Sequence, residues 1–194
     1  MYQLQDLMTA SVFRKYSDLA TEIGAVNLAQ GVPEGILDEE INQLLPSLFA
    51  KGWQYSDPHG LLSLRVAIAK LFNNNFADNQ VIVTSGCTES LYLALFACTH
   101  EANNKVVFLE PFYTYYMGLS KLLNLEAVPI PMAIADKKMI PDWDSIEKVF
   151  ISGAKIFLLN TPHNPSGWVM SKGDAIHLRK LVDKYGVFLI IDYA

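Results

Sequence analysis

The chain has 194 residues, of which 51% are hydrophobic and 18% charged, and its formal net charge at pH 7 is −5. This balance predicts a globular protein with one substantial core and argues against disorder. An acidic chain without a run of lysines and arginines is not expected to bind nucleic acid. Because no apolar run reaches the roughly 18 residues of a membrane helix and no signal-peptide pattern opens the chain, we expect no membrane contact and a cytoplasmic location. The two cysteines, Cys87 and Cys98, have no metal-site spacing and are expected to be reduced.

The chain opens with an irregular stretch, and from about residue 60 predicted helices and strands alternate. The opening stretch predicts a short helix, an extended segment over 26–35 and a second helix over 38–49. Further helices are predicted over 61–72, 87–99, 112–123, 143–150 and 171–185. Strands are predicted over 81–84, 105–109, 125–130, 155–160 and 187–192. The last helix has a capping signature, Ser171 with Asp174 three residues on, and Gly186 lies just past its end.

These strands are apolar throughout rather than at every second residue. Such strands, alternating with helices, predict an α/β fold with a mostly parallel sheet sandwiched by helices. Sheets of this kind bind ligands at the carboxyl ends of their strands. The residues at those ends are SGCT (85–88), EPFY (110–113), NTPHNP (160–165) and Asp192.

The stretch SGCT opens a predicted helix whose first amides, those of Cys87, Thr88 and Glu89, have no partner within the helix. A helix N-terminus attracts an anion, so a phosphate group could bind here. The alternative is an ordinary helix start with Ser85 or Thr88 as its cap. The fingerprints G-x-x-x-x-G-K-[ST] and G-x-G-x-x-G are absent, which argues against a nucleotide-binding α/β domain.

The other strand ends carry an aromatic cluster, a carboxylate and two amides. An aromatic in EPFYTYY could stack on a planar ligand, although most of these rings are expected in the core. Asp192 ends an apolar strand, where a carboxylate could hold a protonated nitrogen; the alternative is a surface aspartate that caps the next element. Asn160 is predicted as a strand-ending turn residue, and Asn164 as either a turn residue or a hydrogen-bond donor. Together these features predict a site for a flat, phosphorylated, nitrogen-containing ring.

The motifs resemble those of fold-type I pyridoxal-phosphate enzymes, specifically class I/II aminotransferases of the kynurenine, glutamine and methionine aminotransferase-like branch. The resemblance covers nearly the whole chain. It rests on NLAQGVPEG (27–35), YSDPHGLLSLRVAIA (55–69), VTSGCTESL (83–91), EPFYTYY (110–116), LNTPHNPSG (159–167) and IIDYA (190–194). It implies the aspartate aminotransferase-like fold, pyridoxal 5′-phosphate as cofactor and a homodimer. The implied reaction transfers an amino group from an L-amino acid to a 2-oxo acid.

The resemblance also implies roles for residues around the cofactor ring. Asp192 matches the catalytic aspartate that pairs with the pyridinium nitrogen and keeps it protonated. Asn164 matches the asparagine that donates to the phenolic oxygen and borders the substrate. Tyr113 falls where the family places the aromatic residue that stacks on the ring.

Further residues match positions around the phosphate and the substrate. Gly86, Cys87 and Thr88 correspond to the phosphate loop. Tyr55 matches the tyrosine that reaches the phosphate of the neighbouring subunit's cofactor. Gly31 lies in the segment that usually borders the substrate carboxylate.

One departure from the family pattern concerns the lysine that forms the Schiff base. In the family this lysine and the substrate-carboxylate arginine follow the strand that ends here at Asp192, and lysines such as Lys155 and Lys172 match no part of the lysine motif. The resemblance therefore implies an N-terminal half. Residues 1–45 would be an arm that contributes to the small domain and the dimer interface. Residues 46–194 would be an incomplete large cofactor-binding domain, without the C-terminal domain and with an exposed apolar edge at the last strand.

Two alternatives to amino-group transfer stay open at this point. The same site could catalyse β-elimination of a sulfur amino acid, as a carbon–sulfur lyase. The chain could also be a catalytically inactive fragment, because a pyridoxal-phosphate enzyme needs an amine for its covalent chemistry.

Overall fold

The computed structural model of this protein describes residues 12–31, 38–50, 54–73, 75–99 and 104–194. Its contacts divide the chain into two compact units, one formed by residues 10–84 and the other centred on residues 85–194. We call them the N-terminal unit and the sheet unit. Within the described residues, no helix combines the length and the apolar character needed to cross a membrane.

The N-terminal unit contains three helices in its described part, α1 (Val12–Ile23), α2 (Asp38–Phe49) and α3 (Leu62–Leu71), followed by a 3₁₀ turn at Asp78–Gln80. They confirm the predicted helices over 38–49 and 61–72. The Arg65 guanidinium joins the ends of the α3 region, since it donates to the carbonyl oxygens of Gly60 at 3.2 Å and Asp78 at 2.9 Å. The predicted extended segment over 26–35 has irregular backbone as far as Gly31, and 32–35 lie outside the described residues.

The predicted strand over 81–84 is wrong, because these residues are not part of a sheet. The Val81 N–H donates to Asp78 O at 3.2 Å, and the Val83 N–H donates to His59 O at 2.9 Å. A strand requires a ladder of bonds to a neighbouring strand, and no described residue supplies one here. The β-branched residues of 81–84 therefore led to a wrong strand prediction, although Val81 is buried as a strand residue would be.

In its described residues the sheet unit contains six strands: β1 (Lys105–Glu110), β2 (Glu126–Pro131), β3 (Ala133–Ala135), β4 (Lys138–Ile140), β5 (Ile156–Asn160) and β6 (Phe188–Asp192). Four of them form a parallel sheet in the order β2-β1-β5-β6. This confirms the four predicted strands and their parallel arrangement. The antiparallel hairpin of β3 and β4 was not predicted. Among the described residues β6 is an edge strand whose Phe188 is 49% exposed, as expected for the last strand.

Four helices in the described part of this unit accompany the sheet: α4 (Cys87–Cys98), α5 (Tyr115–Leu122), α6 (Trp143–Ile151) and α7 (Lys172–Tyr185). Of these, α5 begins three residues later than predicted, because 111–113 still lead the chain out of β1. The predicted caps of α7 are confirmed. The Ser171 hydroxyl accepts from the Asp174 N–H at 3.1 Å, and Gly186 adopts the left-handed conformation with φ of 59°.

Neighbouring residues of β1 and β5 point into two different cores, one on each face of the sheet. The first core joins the sheet to α6 and α7 through Val107, Leu109, Phe157, Leu159, Ile146, Phe150, Leu178 and Leu181. The second core joins the sheet to α4 and α5 through Val106, Phe108, Ile156, Leu158, Leu91, Leu95, Tyr116 and Leu119. The predicted α/β sandwich is confirmed, and its packing sets the carboxyl ends of β1, β5 and β6 at one edge.

Candidate active site

Asp192 lies at the carboxyl end of β6 and is only 5% exposed. Three donors bind its carboxylate. Oδ2 accepts from the Tyr116 hydroxyl at 2.6 Å, and Oδ1 accepts from the Ala194 N–H at 2.9 Å and from the Cys87 thiol at 3.5 Å. Since a buried charge is costly without such bonds, these donors stabilise the carboxylate and fix its orientation. Asp192 is therefore not a surface aspartate that caps the next element, which was the alternative prediction from the sequence.

Tyr116 is a site residue that the sequence did not single out, because most rings of EPFYTYY are expected in the core. It does pack there, 2% exposed in the second core, but its hydroxyl donates to Asp192. Burial, then the hydrogen bond to Asp192 and its negative charge, raises the pKa of Tyr116 far above the usual value, so the hydroxyl stays a proton donor. The sequence does carry a signal for this bond: a tyrosine, rather than a phenylalanine, stands at a buried helix position. A buried hydroxyl needs a hydrogen-bond partner, so a polar partner nearby was to be expected.

The first turn of α4 lies next to Asp192, as the contact with Cys87 shows. The helix begins after Gly86, whose φ is 102°, and its first internal bond runs from the Ser90 N–H to Gly86 O at 3.3 Å. The N–H groups of Cys87, Thr88 and Glu89 precede this bond and therefore have no partner in the helix. The cap is Gly86 rather than Ser85 or Thr88, and the Glu89 side chain accepts from the Ser85 N–H instead.

Tyr113 follows β1 and is half-buried beside the same carboxylate. Its ring stacks on that of Tyr115 with centroids 5.1 Å apart and an interplanar angle of 25°, and it meets the Tyr116 ring edge-on at 5.8 Å. Burial raises the pKa of Tyr113, and the nearby Tyr115, Asp192 and Cys87 add to this shift. Phe112, another aromatic residue of EPFYTYY, packs edge-on against Phe108 of the second core. It therefore belongs to the core, as expected for most of these rings.

The loop after β5 joins the remaining amides to Asp192. Asn160 is the last residue of β5 and is only 4% exposed. Its Nδ2 donates to Asp192 O at 2.9 Å, and its Oδ1 accepts from the Asn164 N–H at 2.6 Å. Asn164 itself is exposed, and no described residue bonds to its side-chain amide. As predicted, Asn160 ends the strand, but it lies in the sheet rather than in the turn and contacts two candidate site residues.

The sheet unit thus brings together six of the predicted site residues: Gly86, Cys87, Thr88, Tyr113, Asn164 and Asp192. The other two, Gly31 and Tyr55, belong to the N-terminal unit, where both are exposed. Their roles toward a substrate and a neighbouring subunit stay predictions.

The contact between Cys87 and Asp192 predicts an effect of Asp192→Asn on the thiol. Burial, followed by the charge of Asp192 and the hydrogen bond to it, raises the pKa of the Cys87 thiol. Without that charge the pKa of Cys87 should fall, and alkylation by iodoacetamide at mildly alkaline pH should become severalfold faster, because the thiolate is the reactive form. Mass spectrometry can follow both cysteines in one sample.

Cys98 is the internal control, because burial alone raises the pKa of its thiol. Its alkylation rate should be the same in the wild type and in Asp192→Asn. If the ratio of the two cysteine rates is unchanged by the substitution, the charge of Asp192 does not act on Cys87.

The solved structures that this chain resembles have the aspartate aminotransferase-like fold, and the parallel sheet flanked by helices matches the large domain of that fold. The chain belongs to the class I and II aminotransferases, because the sequence model of that family matches residues 24–194. Proteins of this family depend on pyridoxal phosphate.

Individual relatives agree with this assignment. The chain is 29% identical over 188 residues to a probable N-succinyldiaminopimelate aminotransferase of Mycobacterium tuberculosis, covering 94% of this chain and 47% of that protein. It is also 29% identical over 188 residues to methionine aminotransferase of Escherichia coli, covering 94% and 48%. The solved structure of the Mycobacterium tuberculosis N-succinyldiaminopimelate aminotransferase superposes with a TM-score of 0.89 at 28% identity, covering 99% of this chain and 51% of that one. The chain therefore spans about half the length of the relatives it matches.

Proposed function

We propose that this chain binds pyridoxal 5′-phosphate at the carboxyl edge of its sheet, and that the complete protein transfers an amino group from an L-amino acid to a 2-oxo acid. The observation that carries the proposal is the buried Asp192 carboxylate, held by Tyr116 and Cys87 beside the first turn of α4. Membership of the class I and II aminotransferases supports the same reaction class.

The residues around Asp192 fit the aromatic ring of this cofactor. A buried carboxylate favours a protonated ring nitrogen, since an opposite charge stabilises the protonated form. Tyr113 offers an aromatic face near that carboxylate, and the exposed side-chain amide of Asn164 can donate to the phenolic oxygen. When bound, pyridoxal phosphate supplies an electron-accepting ring that withdraws charge from the α-carbon of the substrate.

The start of α4 fits the phosphate group. The N–H groups of Cys87, Thr88 and Glu89 are unused by the helix, and the positive end of the helix dipole favours an anion. The Glu89 carboxylate would repel a phosphate, but it is engaged by the Ser85 N–H. We therefore assign the phosphate to the backbone amides of this turn, together with Gly86, and not to a positively charged side chain.

The resemblance extends the proposal to the complete protein. There residues 1–45 would form an arm at the small domain and at a homodimer interface, and residues 46–194 part of the large domain, in a cytoplasmic enzyme. Gly31 would border the substrate, and Tyr55 would reach the cofactor of the neighbouring subunit. Because no lysine of this chain matches the family's lysine motif, we propose that this chain alone does not catalyse the transfer.

Binding can be tested with pyridoxamine 5′-phosphate, which carries the ring, the phenolic oxygen and the phosphate but no aldehyde that would react with lysines. Binding should shield Cys87 from iodoacetamide, because its amide belongs to the proposed phosphate site. At a ligand concentration about ten times Kd the alkylation of Cys87 should slow by about tenfold, since only the free chain reacts. Cys98, at the far end of α4, should react at an unchanged rate.

Pyridoxamine without the phosphate is the matched control ligand, and at the same concentration it should protect Cys87 much less. Equal alkylation of Cys87 with and without saturating pyridoxamine 5′-phosphate, in a chain whose circular dichroism spectrum shows it folded, would overturn the proposed function.

A further inference from the structure

Asn160 connects two site residues that are far apart in the sequence. It lies opposite Asp192 in the register of β5 and β6, and its Nδ2 donates to Asp192 O at 2.9 Å. The same carbonyl oxygen accepts from the Thr161 N–H at 3.0 Å. The backbone position of Asp192 is therefore fixed by the side chain and the backbone at the end of β5.

The side-chain oxygen of Asn160 binds the backbone of Asn164. This Oδ1 accepts from the Asn164 N–H at 2.6 Å, across a loop that contains Pro162 and His163. Both functional groups of Asn160 are used within the protein, and the residue is 4% exposed. Asn160 is thus not placed to contact a ligand itself.

Only an amide of this length can make both bonds. The position needs a donor toward Asp192 O and an acceptor toward the Asn164 N–H, and an asparagine side chain provides one of each. An aspartate offers acceptors alone, and an alanine offers neither.

We propose that Asn160 is a positioning residue that sets Asn164 and Asp192 at the spacing of one aromatic ring, so that the phenolic oxygen and the ring nitrogen are bound at the same time. This inference rests on the proposed function. Asn160 acts through the backbone of both residues, while Tyr116 orients the Asp192 carboxylate. Precise placement of such groups governs how strongly each contact contributes to binding.

The test compares two ligands, pyridoxamine 5′-phosphate and its analogue that lacks the phenolic oxygen. The wild-type chain should bind the first roughly tenfold more tightly, as expected for one well-placed hydrogen bond. In Asn160→Ala this ratio of Kd values should fall to about one, because Asn164 is no longer held in place. A general loss of stability would weaken both ligands and leave the ratio unchanged.

Two further variants separate positioning from folding. Asn160→Asp keeps an acceptor for the Asn164 N–H but loses the donor to Asp192 O, so it should retain the phenolic-oxygen ratio and bind both ligands more weakly. Thr161→Val is the matched control. Thr161 is also buried, and its hydroxyl accepts from the Met170 N–H at 3.0 Å, so this variant loses a loop hydrogen bond that involves neither Asn164 nor Asp192. Its ratio should equal that of the wild type.

The outcomes separate the two proposals. If the wild-type chain binds neither ligand, the proposed function fails and the role of Asn160 fails with it. If the wild type binds both ligands with the expected ratio of Kd values and Asn160→Ala does not show the ratio predicted for it, only the role of Asn160 is overturned. Should the alanine variant not fold, the same conclusion follows when Asn160→Asp departs from its own predicted ratio.

Discussion

Replacement of Asp192 by alanine should weaken the binding of pyridoxamine 5′-phosphate by about thirty- to a hundredfold, equivalent to about 2–3 kcal/mol. The reason is the loss of a charge-assisted hydrogen bond to the protonated ring nitrogen from a carboxylate that three donors hold in place. The measurement is Kd by fluorescence titration. In the complete protein the same change should nearly abolish amino-group transfer, because the ring nitrogen would no longer be kept protonated.

Glu110→Ala is the matched control for this substitution. Glu110 is a carboxylate at the carboxyl end of β1 in the same sheet, but it is exposed. Its replacement should leave Kd within about twofold, the small effect expected of a surface charge. If Asp192→Ala binds as tightly as Glu110→Ala, the assignment of Asp192 to the ring nitrogen is wrong.

Tyr116→Phe should lower the free energy of unfolding at pH 7 by about 2 kcal/mol, the contribution of a hydrogen bond to a charged group. The substitution keeps the ring, which packs against Phe108 and Tyr113, and removes only the donor at 2.6 Å from Asp192 Oδ2. The measurement is urea unfolding followed by circular dichroism. The large effect is expected because the carboxylate is buried and cannot replace the lost donor with bulk water.

The same variant should also change the response to alkaline pH. The folded state raises the pKa of Tyr116, whereas a tyrosine in the unfolded chain ionises near pH 10. The stabilisation from Tyr116 is therefore complete below about pH 10 and is lost above it, by at most about 1.4 kcal/mol per pH unit for one proton. The stabilities of the wild type and Tyr116→Phe should converge as the pH rises above 10.

Tyr92→Phe provides the comparison, because the Tyr92 ring stacks on Phe96 in α4 and its hydroxyl bonds to no described residue. This variant should match the wild type in stability at pH 7. A constant stability gap between the wild type and Tyr116→Phe from pH 7 to alkaline pH would show that Tyr116 is not the ionising group.

Local patterns were sufficient to predict the central part of the fold. β1 and β5 each contain four consecutive apolar residues, and the caps of α7 are local in sequence, so the two strands and the caps could be predicted directly. The β3–β4 hairpin was missed because its strands have three residues each and its turn uses Asp136 and Lys137 in left-handed conformations, without the glycine that usually marks such a turn.

One part of the candidate site could likewise be predicted from the sequence, and another part could not. Asp192, Asn164 and the α4 turn follow strands or open a helix, so their position at one sheet edge could be inferred from topology. The roles of Tyr116 and Asn160 could not be predicted, because each depends on a bond to Asp192, across 76 and 32 residues of sequence respectively. No spacing rule connects residues at such separations, and only the packing of the sheet reveals them.

The sheet separates two cores that share no side chain, and this has a consequence for combined substitutions. A cavity made beside Leu159 in the first core cannot be filled from the second, because the backbone of β5 lies between them. Substitutions on opposite faces, such as Leu159 with Leu158, should therefore have additive costs in spite of their adjacency in sequence. Pairs within one core, such as Leu158 with Leu95, can relax into a shared space and should be energetically coupled. In this fold, adjacency in the chain is a poor guide to epistasis.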